Sequence, residues 1–379
     1  MKKLIFRKFS LDHALFFLYV LLSVSLIVWV IQAVNYLDIV SEDGHSFKIY
    51  FFYTLLNLPK ILSRILPFVF FISLFYIVIK YEDLNELIIF WTIGIKKIKF
   101  VNELIKISLI YVFIQLLFTS YIVPFSQDNA RSFIRSSQLD FFPALIKEKK
   151  FVDTVNGLTI LIDKKNKDNS FDNIFLKDQV NDKKSQIIIA KKGAMIKDKN
   201  KKNYFILYDG KFINNYGDKT TVFSFDKTEF NLSKYRTKTT TFPKVQEIST
   251  KILFSCIISV RNNKISKVNN EIFEKYFACN EKNSKSMKQE IFKRIILPFY
   301  LPLLSLIASI LIIKSKDSFN YQRFRFILFF IGTVVIIFSE ISVRYTGIHD
   351  FLILLFSIMP IIVFTVFYFS LLKKLKFSK

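Results

Sequence analysis

The stretch ALFFLYVLLSVSLIVWVIQAV, residues 14–34, contains no charged side chain. An uncharged apolar segment of this length can cross the hydrocarbon core of a bilayer as a helix. No small-residue cleavage site follows it, so we expect this helix to be retained and not removed as a signal peptide. The sequence predicts six membrane-spanning helices in two groups of three. The other five runs lie at residues 61–79, 105–123, 291–313, 324–343 and 351–372.

The composition agrees with a membrane protein and argues against nucleic-acid binding. The 379 residues are 52% hydrophobic and 17% aromatic, and the mean hydropathy is +0.34. The formal net charge is +25, but the basic residues lie beside the apolar runs and within a polar insert. They do not form one basic stripe with interleaved aromatic residues, which nucleic-acid binding would favour.

The basic residues of the short loops predict the orientation of the chain. Cytoplasmic loops of membrane proteins carry an excess of lysine and arginine. Four segments on one side of a six-helix topology are basic, whereas the opposite short loops contain only Lys48, Lys60 and Arg344. We therefore expect both termini in the cytoplasm and the insert outside it. The basic residues are Lys2, Lys3, Arg7 and Lys8; Lys80, Lys96, Lys97 and Lys99; Lys314, Lys316, Arg323 and Arg325; and Lys373, Lys374, Lys376 and Lys379.

The polar insert at residues 127–290 separates the helical segments 1–126 and 291–379. Asn156-Gly157 and Asp209-Gly210 each predict a tight hairpin turn between flanking strands. Many short strands with turn signals between them favour a sandwich, a jelly roll or a related open β fold. From residue 247 the insert is predicted to be a helical connector. The expected strands are residues 151–155, 158–162, 171–176, 186–190, 194–197, 204–208, 211–214, 221–225 and 228–232.

Two prolines are expected to interrupt helices, because proline lacks the amide hydrogen that a helix interior needs. Pro59 follows the aromatic segment 47–58, which is too short to span and is expected to lie in the membrane interface. Pro124 is expected to close the third spanning helix.

The sequence contains no motif for catalysis, metal binding or cofactor binding. No glycine-rich segment fits the phosphate-binding P-loop pattern, and the three histidines have no partner at metal or triad spacing. The chain is therefore expected to be no enzyme and to bind no cofactor. Cys256 and Cys279 are its two cysteines. A disulfide between them is possible if the insert lies outside the cytosol, and the sequence leaves this open.

An amphipathic segment at residues 82–94 lies between the second and third spanning helices. It has an acidic start with Asp83 and Glu86, an apolar body, and Gly94 as a helix stop before several lysines. It either rests on the membrane surface or docks into a partner ATPase as a coupling helix. The docking hypothesis assigns contacts to Asp83, Glu86, Leu87, Phe90, Trp91 and Gly94.

A set of charged residues is expected near the outer ends of the spanning helices. Lys60 and Arg64 are one helical turn apart, as are Glu340 and Arg344, and Arg294 begins the fourth helix on the same side. They are either anchors that extend to the interface or inward-facing groups that bind anionic lipid headgroups. The headgroup-binding candidates are Lys60, Arg64, Arg294, Glu340 and Arg344.

Along nearly the whole chain these features resemble the lipopolysaccharide export permeases of the LptF/LptG family. The resemblance includes the three-plus-three helices and the inserted β domain. The stretch WVIQAVNYLD at residues 29–38 is more similar to LptF than to LptG. Trp91, Thr92 and Ile93 depart from the smaller residues usual before the glycine. The matching motifs are NELIIFWTIG at 85–94, LTILI at 158–162, NIFL at 173–176, IAKKG at 189–193, LYDG at 207–210 and EIFKRIILP at 290–298.

The resemblance implies a fold and a role. The fold would be a six-helix membrane bundle with an inserted periplasmic domain like a β-jelly roll. The chain would be one permease subunit of an ABC transporter in the bacterial inner membrane. It would extract lipopolysaccharide from the outer leaflet and pass it to a periplasmic β-groove bridge. Implied partners are an LptG-like paralogous permease, a cytoplasmic LptB-like ATPase dimer that binds the ATP, and LptC-like and LptA-like periplasmic proteins.

Two other functions remain open from the sequence. The chain could be a different ABC-type membrane component that transmits force to a periplasmic domain without carrying lipid. It could also be a membrane sensor, although its cytoplasmic segments are too short for an output domain. An open apolar β cavity would favour lipid transport, and a filled β core would favour force transmission.

Overall fold

The computed structural model describes residues 2–41, 46–136, 148–155, 157–166, 170–181, 184–197, 203–216, 219–231, 244–261, 281–347 and 350–377. The chain forms two compact units. The first contains Met1–Val30, Asn57–Asp128 and Lys244–Lys379, and the second contains Ile31–Leu56 and Asn129–Pro243. Six helices of the described chain are long and apolar enough to cross a membrane. With the β-sheet of the second unit, they confirm the predicted helical bundle with an inserted β domain.

The apolar runs form helices because a helix satisfies all its backbone hydrogen bonds within one segment, as a bilayer requires. Short 3₁₀ turns at Val245–Glu247, Leu297–Phe299 and Ile310–Ile313, and a π-helical segment at Phe118–Ile122, connect some of them. The α-helices are α1 (Lys2–Asn35), α2 (Asp38–Ser41), α3 (Phe47–Leu56), α4 (Leu58–Asp83), α5 (Glu86–Thr92), α6 (Lys97–Leu117), α7 (Val123–Ser136), α8 (Thr250–Arg261), α9 (Glu281–Ile295), α10 (Tyr300–Ser309), α11 (Tyr321–Tyr345) and α12 (Asp350–Phe377).

Helix α10 lies at the centre of the first unit. All of its residues are buried, and it packs against α4, α6, α11 and α12. Pro298 lies in the 3₁₀ turn before it. Because proline cannot donate a backbone hydrogen bond, the fourth spanning segment is divided into α9 and α10 and is not one regular helix.

The expected break between segment 47–58 and the second spanning helix is present, but it lies at Asn57, which separates α3 from α4. Pro59 itself lies in the first turn of α4, where a missing amide hydrogen costs nothing. The expected interruption at Pro124 is wrong. Pro124 lies in the first turn of α7. The π-helical segment before it re-pairs the backbone, with the Val123 amide donating to the Phe118 carbonyl. The helix therefore continues to Ser136.

The strands of the second unit form one antiparallel sheet in the order β1-β2-β3-β4-β5-β6. Each strand pairs with its neighbours in sequence, as in a meander. The β1–β2 hairpin is confirmed: Val155 pairs with Leu158, and Gly157 has φ +74°, while Asn156 lies outside the described residues. The strands are β1 (Val152–Val155), β2 (Leu158–Lys165), β3 (Ser170–Asn181), β4 (Lys184–Lys197), β5 (Asn203–Tyr216) and β6 (Lys219–Asn231).

Strands β2 to β6 all bend at one row of residues, which we call the corner row. Its members fall between ladder pairs; in β2 and β3, for example, Ile162 pairs with Ile174 and Lys164 with Asp172. At this row two consecutive residues of a strand face away from the core, so the inward-facing positions shift by one residue. The row consists of Asp163, Asn173, Lys191, Asp209 and Asp226.

Because the inward direction shifts at the corner row, both halves of the sheet face the same core. In β3, Phe171 and Ile174 lie on opposite sides of the row and are both buried in it. The rings of Phe171 and Phe205 meet edge to face, 5.5 Å apart. The sheet thus folds over and buries one apolar face. This core contains Val152, Leu158, Ile160, Ile162, Phe171, Ile174, Leu176, Ile188, Ala190, Phe205, Leu207 and Phe230.

The predicted second hairpin at Asp209-Gly210 is wrong, because these residues lie in the middle of β5. Asp209 has φ +48° and Asn173 has φ +54°. Asn and Asp tolerate this left-handed conformation better than other residues with a side chain. The corner, and not a turn, therefore explains why Asp209-Gly210 looks like a hairpin turn in the sequence. The strands predicted at 186–190 and 194–197 form the single strand β4, and those predicted at 221–225 and 228–232 form the single strand β6. The corner row interrupts each of these strands at the point where two strands were predicted.

The corner row makes the sheet sensitive to a β-branched residue at Asn173. We expect Asn173→Val to destabilise β3 and β4 by about 1–2 kcal/mol, the cost of a left-handed conformation, and Asn173→Gly to have little effect. Amide hydrogen exchange in β3 and β4 of the whole chain measures this. Thr159→Val, at a regular position paired with Lys177, is the control. Equal exchange in the two valine variants would show that the corner is not strained.

Candidate functional site

A small cleft lies at the end of the first unit opposite α5. It is formed by the start of α4, the π-helical segment, the start of α7, the turn Val245–Glu247 and the end of α9. Its cavity volume of about 30 Å³ has room for roughly two water molecules. The cleft can therefore bind the edge of an anionic group but cannot enclose a headgroup. Its lining residues are Lys60, Ser63, Arg64, Thr119, Val123, Gln127, Gln246, Glu290, Lys293 and Arg294.

Arg294 is the structural centre of this cleft and is only 1% exposed. Its Nε donates to Glu290 Oε1 at 3.0 Å. One terminal nitrogen donates to the Ile248 carbonyl and to Thr250 Oγ1, both at 2.9 Å. The other donates to the Gln246 carbonyl at 3.0 Å. Most of the guanidinium donors are therefore already used within the protein, and Arg294 holds the connector that follows the β domain.

The π-helical segment is attached to the same centre. Thr119 Oγ1 donates to the Arg294 carbonyl at 2.8 Å, and Thr250 Oγ1 donates to the Ser120 carbonyl at 2.6 Å. A π-helical turn leaves carbonyls free for such contacts and often marks a functional position. Three segments distant in sequence thus meet at Arg294.

The free positive charge of the cleft comes from other residues. Lys60 is partly buried and Arg64 is exposed. Arg64, Lys244 and Lys293 all lie within electrostatic range of Lys60, as does Glu247. Basic side chains thus outnumber carboxylates, and the cleft mouth favours an anion. Gln127 adds a buried side-chain oxygen without a hydrogen-bond partner in the described chain.

The structure brings together three of the five predicted headgroup residues. Lys60, Arg64 and Arg294 share the cleft, whereas Glu340 and Arg344 are exposed on α11 and do not line it. No ion pair joins Glu340 to Arg344 within the described residues. The Arg344 carbonyl accepts from Gln289 Nε2 at 2.8 Å.

Sequence reasoning missed Lys293 and Glu290 as members of the cleft, and Lys244 as a charge near Lys60. Lys293 adjoins Arg294 in the quoted motif, and Glu290 precedes Arg294 by one helical turn, so a local signal existed for both. Lys244 lies far away in sequence, and only the fold brings it to Lys60.

The predicted amphipathic helix is α5, at the other end of the bundle. Leu87 and Phe90 are buried. The Phe90 ring packs edge to face on Phe6 and Phe100, at 5.5 and 5.3 Å. These two residues belong to the core and cannot contact a partner without unfolding the segment. The exposed apolar residues are Leu84, Ile88 and Ile89.

Gly94 ends α5 as predicted. It has φ +76°; its amide donates to the Trp91 carbonyl, and the Ile95 amide donates to the Phe90 carbonyl. This pair of bonds is the Schellman ending, which favours glycine at the left-handed position. Trp91 is partly buried and packs on Phe100.

The predicted acidic residues of this segment make contacts within the chain. Glu86 forms an ion pair with Lys8 of α1 at 3.5 Å, and Asp83 forms one with Arg325 of α11 at 3.7 Å. Both carboxylates thus connect the segment to other helices of the first unit.

Cys256 is buried against Leu253 and Met287, where α8 packs on α9. It is disulfide-bonded. Cys279, the other cysteine of the sequence, lies outside the described residues.

Six candidate spanning helices with an antiparallel β domain between the third and fourth define a multi-pass membrane protein with an inserted β domain. The family model for the lipopolysaccharide export system permease LptF/LptG matches residues 11–374, and the chain belongs to this family. The family description covers LptF and LptG together and does not distinguish them.

The chain is also similar to the uncharacterized protein RP871 of Rickettsia prowazekii (strain Madrid E). The two are 26% identical over 193 residues, an alignment that covers 51% of this chain and 53% of RP871. The chain thus matches about half the length of this relative.

The hydrogen bonds of Arg294 predict that a lysine cannot replace it. We expect Arg294→Lys to destabilise the first unit by about 3–5 kcal/mol, because Glu290 and two backbone carbonyls lose their donors in a buried site. Thermal unfolding of the solubilised chain and protease cleavage at residues 244–250 measure the effect. Arg344→Lys, on the exposed side of α11, is the control. Equal stability of the two variants would contradict the assigned role.

Proposed function

We propose that this chain is one permease subunit of an ABC transporter that moves lipopolysaccharide out of the outer leaflet of the inner membrane. The observation that carries the proposal is the cationic cleft at the end of the bundle, where the chain leaves for the β domain and returns from it. Lipopolysaccharide is an anionic, phosphorylated lipid. A site that selects it needs fixed positive charge beside the hydrocarbon, and Lys60, Arg64 and Lys293 supply that charge.

The orientation supports this role. The basic loops favour both termini in the cytoplasm and the insert in the periplasm. The disulfide of Cys256 agrees with an oxidising compartment for the connector. The cleft and the β domain would then share the periplasmic side.

Arg64 would contact the phosphate first, because it is exposed at the mouth of the cleft. A guanidinium can bind two phosphate oxygens at once. Lys60 and Lys293 would contribute charge from deeper in the cleft, and Arg294 would hold the backbone that positions Lys244. Glu340 and Arg344 would serve as interfacial groups on α11.

The β domain would accept the lipid and pass it to LptC-like and LptA-like proteins. One feature supports this: β6 is the last strand of the sheet order, so its outer edge can pair with a strand of another protein. A paralogous LptG-like permease would complete the membrane cavity. The LptF assignment rests on residues 29–38.

The filled core of the sheet favours a second candidate function. The inward-facing residues of β2 to β5, such as Ile162, Leu176 and Leu207, are almost fully buried. A domain with this packing could transmit force to periplasmic partners without carrying lipid. Lipid transport requires the two halves of the sheet to separate and exchange side-chain contacts for acyl-chain contacts.

Photocrosslinking distinguishes the two functions. A photoreactive residue at Leu207, inside the fold, should form lipopolysaccharide adducts during ATP-driven transport, whereas the same residue at exposed Val222 should form few. In the same assay we expect Arg64→Glu to reduce adducts by about ten-fold, the effect of roughly 1.4 kcal/mol of lost binding. Reversal at Lys374 should leave them unchanged.

An absence of adducts at Leu207, with assembly and ATPase activity intact, would favour force transmission. Equal loss from Arg64→Glu and Lys374→Glu would indicate that the cleft charges only anchor the bundle.

The exposed face of α5 would dock into a separate cytoplasmic ATPase dimer, where the ATP is bound. Leu84, Ile88 and Ile89 present an apolar patch there, which differs from the predicted set because Leu87 and Phe90 belong to the core. An interfacial apolar cluster of this kind carries much of the binding energy of a partner.

We expect Ile88→Glu to weaken ATPase co-purification by more than about ten-fold, a loss of over 1.4 kcal/mol. Glu86→Ala should weaken it less, because Glu86 also pairs with Lys8. Leu4→Glu, at an exposed position on α1, is the control. Unchanged ATPase recovery with Ile88→Glu would place the docking surface elsewhere.

A further inference from the structure

The segment before α5 is attached to the far half of the bundle by polar contacts. The Lys316 amide donates to Glu82 Oε1 at 3.1 Å, and Lys316 Nζ donates to the Asp83 carbonyl at 3.2 Å. The Arg325 guanidinium pairs with the Asp83 carboxylate at 3.7 Å. Lys316 lies in the loop between Ile313 and Tyr321, and Arg325 lies in the first turns of α11. The last residues of α4 are thus tied to the start of the fifth spanning helix.

These contacts differ in kind from the others that hold α5. Towards α1 and α6 the helix packs mainly through aromatic rings, beside the Glu86–Lys8 ion pair: Phe90 packs on Phe6 and Phe100, and Phe100 on Phe9 at 5.3 Å. Such packing is dense and moves as one body. Towards α11 the connection consists of an ion pair and two hydrogen bonds. Asp83 and Arg325 are partly exposed, so their ion pair alone contributes little to stability. The connection is specific because the ion pair and the two hydrogen bonds meet at the same place.

Tyr321 lies beside the same polar contacts, close to Glu82 and Asp83. It is 4% exposed, yet its hydroxyl has no hydrogen-bond partner in the described chain. Glu82, Asp83 and Arg325 lie within electrostatic range of it, and the Arg325 guanidinium lies over its ring at 5.6 Å. A buried hydroxyl without a partner is costly. Movement of Glu82 or Asp83 towards this hydroxyl would supply the missing acceptor.

We propose that Lys316 and Arg325 are positioning residues of the ATPase-coupling segment, and that they relay its displacement to α11. This inference rests on the proposed function, because it assumes that an ATPase moves α5. Displacement of α5 carries α1, α4 and α6 with it through aromatic packing. It reaches α11 through Glu82, Asp83, Lys316 and Arg325, which can exchange partners without exposing a core.

Charge exchange between Asp83 and Arg325 tests the relay in the complete reconstituted complex. We expect Arg325→Asp to lower the amount of lipid released per ATP hydrolysed by at least about five-fold, while the ATPase still co-purifies. The double variant Asp83→Arg with Arg325→Asp restores the ion pair and should return this ratio to within about two-fold of the wild type. Arg323→Asp, at an exposed position on the same helix, should behave as the wild type.

A second measurement follows the position of α5 without transport. Amide hydrogen exchange at residues 84–92 of the whole chain should be faster in Arg325→Asp than in Arg323→Asp, and slow again in the double variant. Glu82→Leu, which removes the acceptor for the Lys316 amide, should also accelerate this exchange. Glu82→Gln, which keeps an acceptor oxygen, should not.

The outcomes separate the relay from the proposed function. If the wild-type complex couples hydrolysis to release but Arg325→Asp does so equally well, the relay is overturned and the transport function stands. A double variant that stays as defective as Arg325→Asp also overturns the relay. If no ATPase associates with the wild-type chain, the proposed function fails and the relay fails with it.

Discussion

The buried guanidinium of Arg294 is the interaction on which one end of the helical bundle depends. Moving a charge out of water costs several kcal/mol unless other groups compensate it. Glu290 supplies the opposite charge, and two carbonyls and a hydroxyl of the connector supply acceptors. Because these acceptors come from residues 246–250, the connector cannot move away without leaving the charge unsatisfied. The position of Lys244, and with it the charge of the cleft, follows from this constraint.

The sequence predicts those features whose physical cause is local. Apolar segments long enough to cross a bilayer must be helical, so the spanning helices could be predicted from length and charge alone. Gly157 and Gly94 have φ values of +74° and +76°, and both were predicted from the turn and the helix ending that need such values.

The features that sequence reasoning missed depend on distant residues. Asp209-Gly210 gives one local signal whether the strand reverses or bends, and only pairing with β4 and β6 decides between the two. The burial of Leu87 and Phe90 depends on rings contributed by α1 and α6.

Arg294 was predicted to bind a lipid headgroup because it begins the fourth spanning helix on the same side as other basic residues, and a guanidinium can make bidentate contacts with phosphate. Its actual partners include Gln246 and Ile248, 48 and 46 residues away in sequence. As with β5 and α5, the sequence alone could not show which distant residues would be in contact.

The two ends of the bundle differ in how much a displacement would cost. At the Arg294 end, movement would strand a buried charge and several buried acceptors, a loss of about 3–5 kcal/mol. At the α5 end, the contacts of Lys316 and Arg325 are partly exposed, so water replaces them at little cost. A force applied at α5 therefore changes the polar contacts to α11 long before it disturbs the Arg294 centre. The bundle would then move about its rigid Arg294 end.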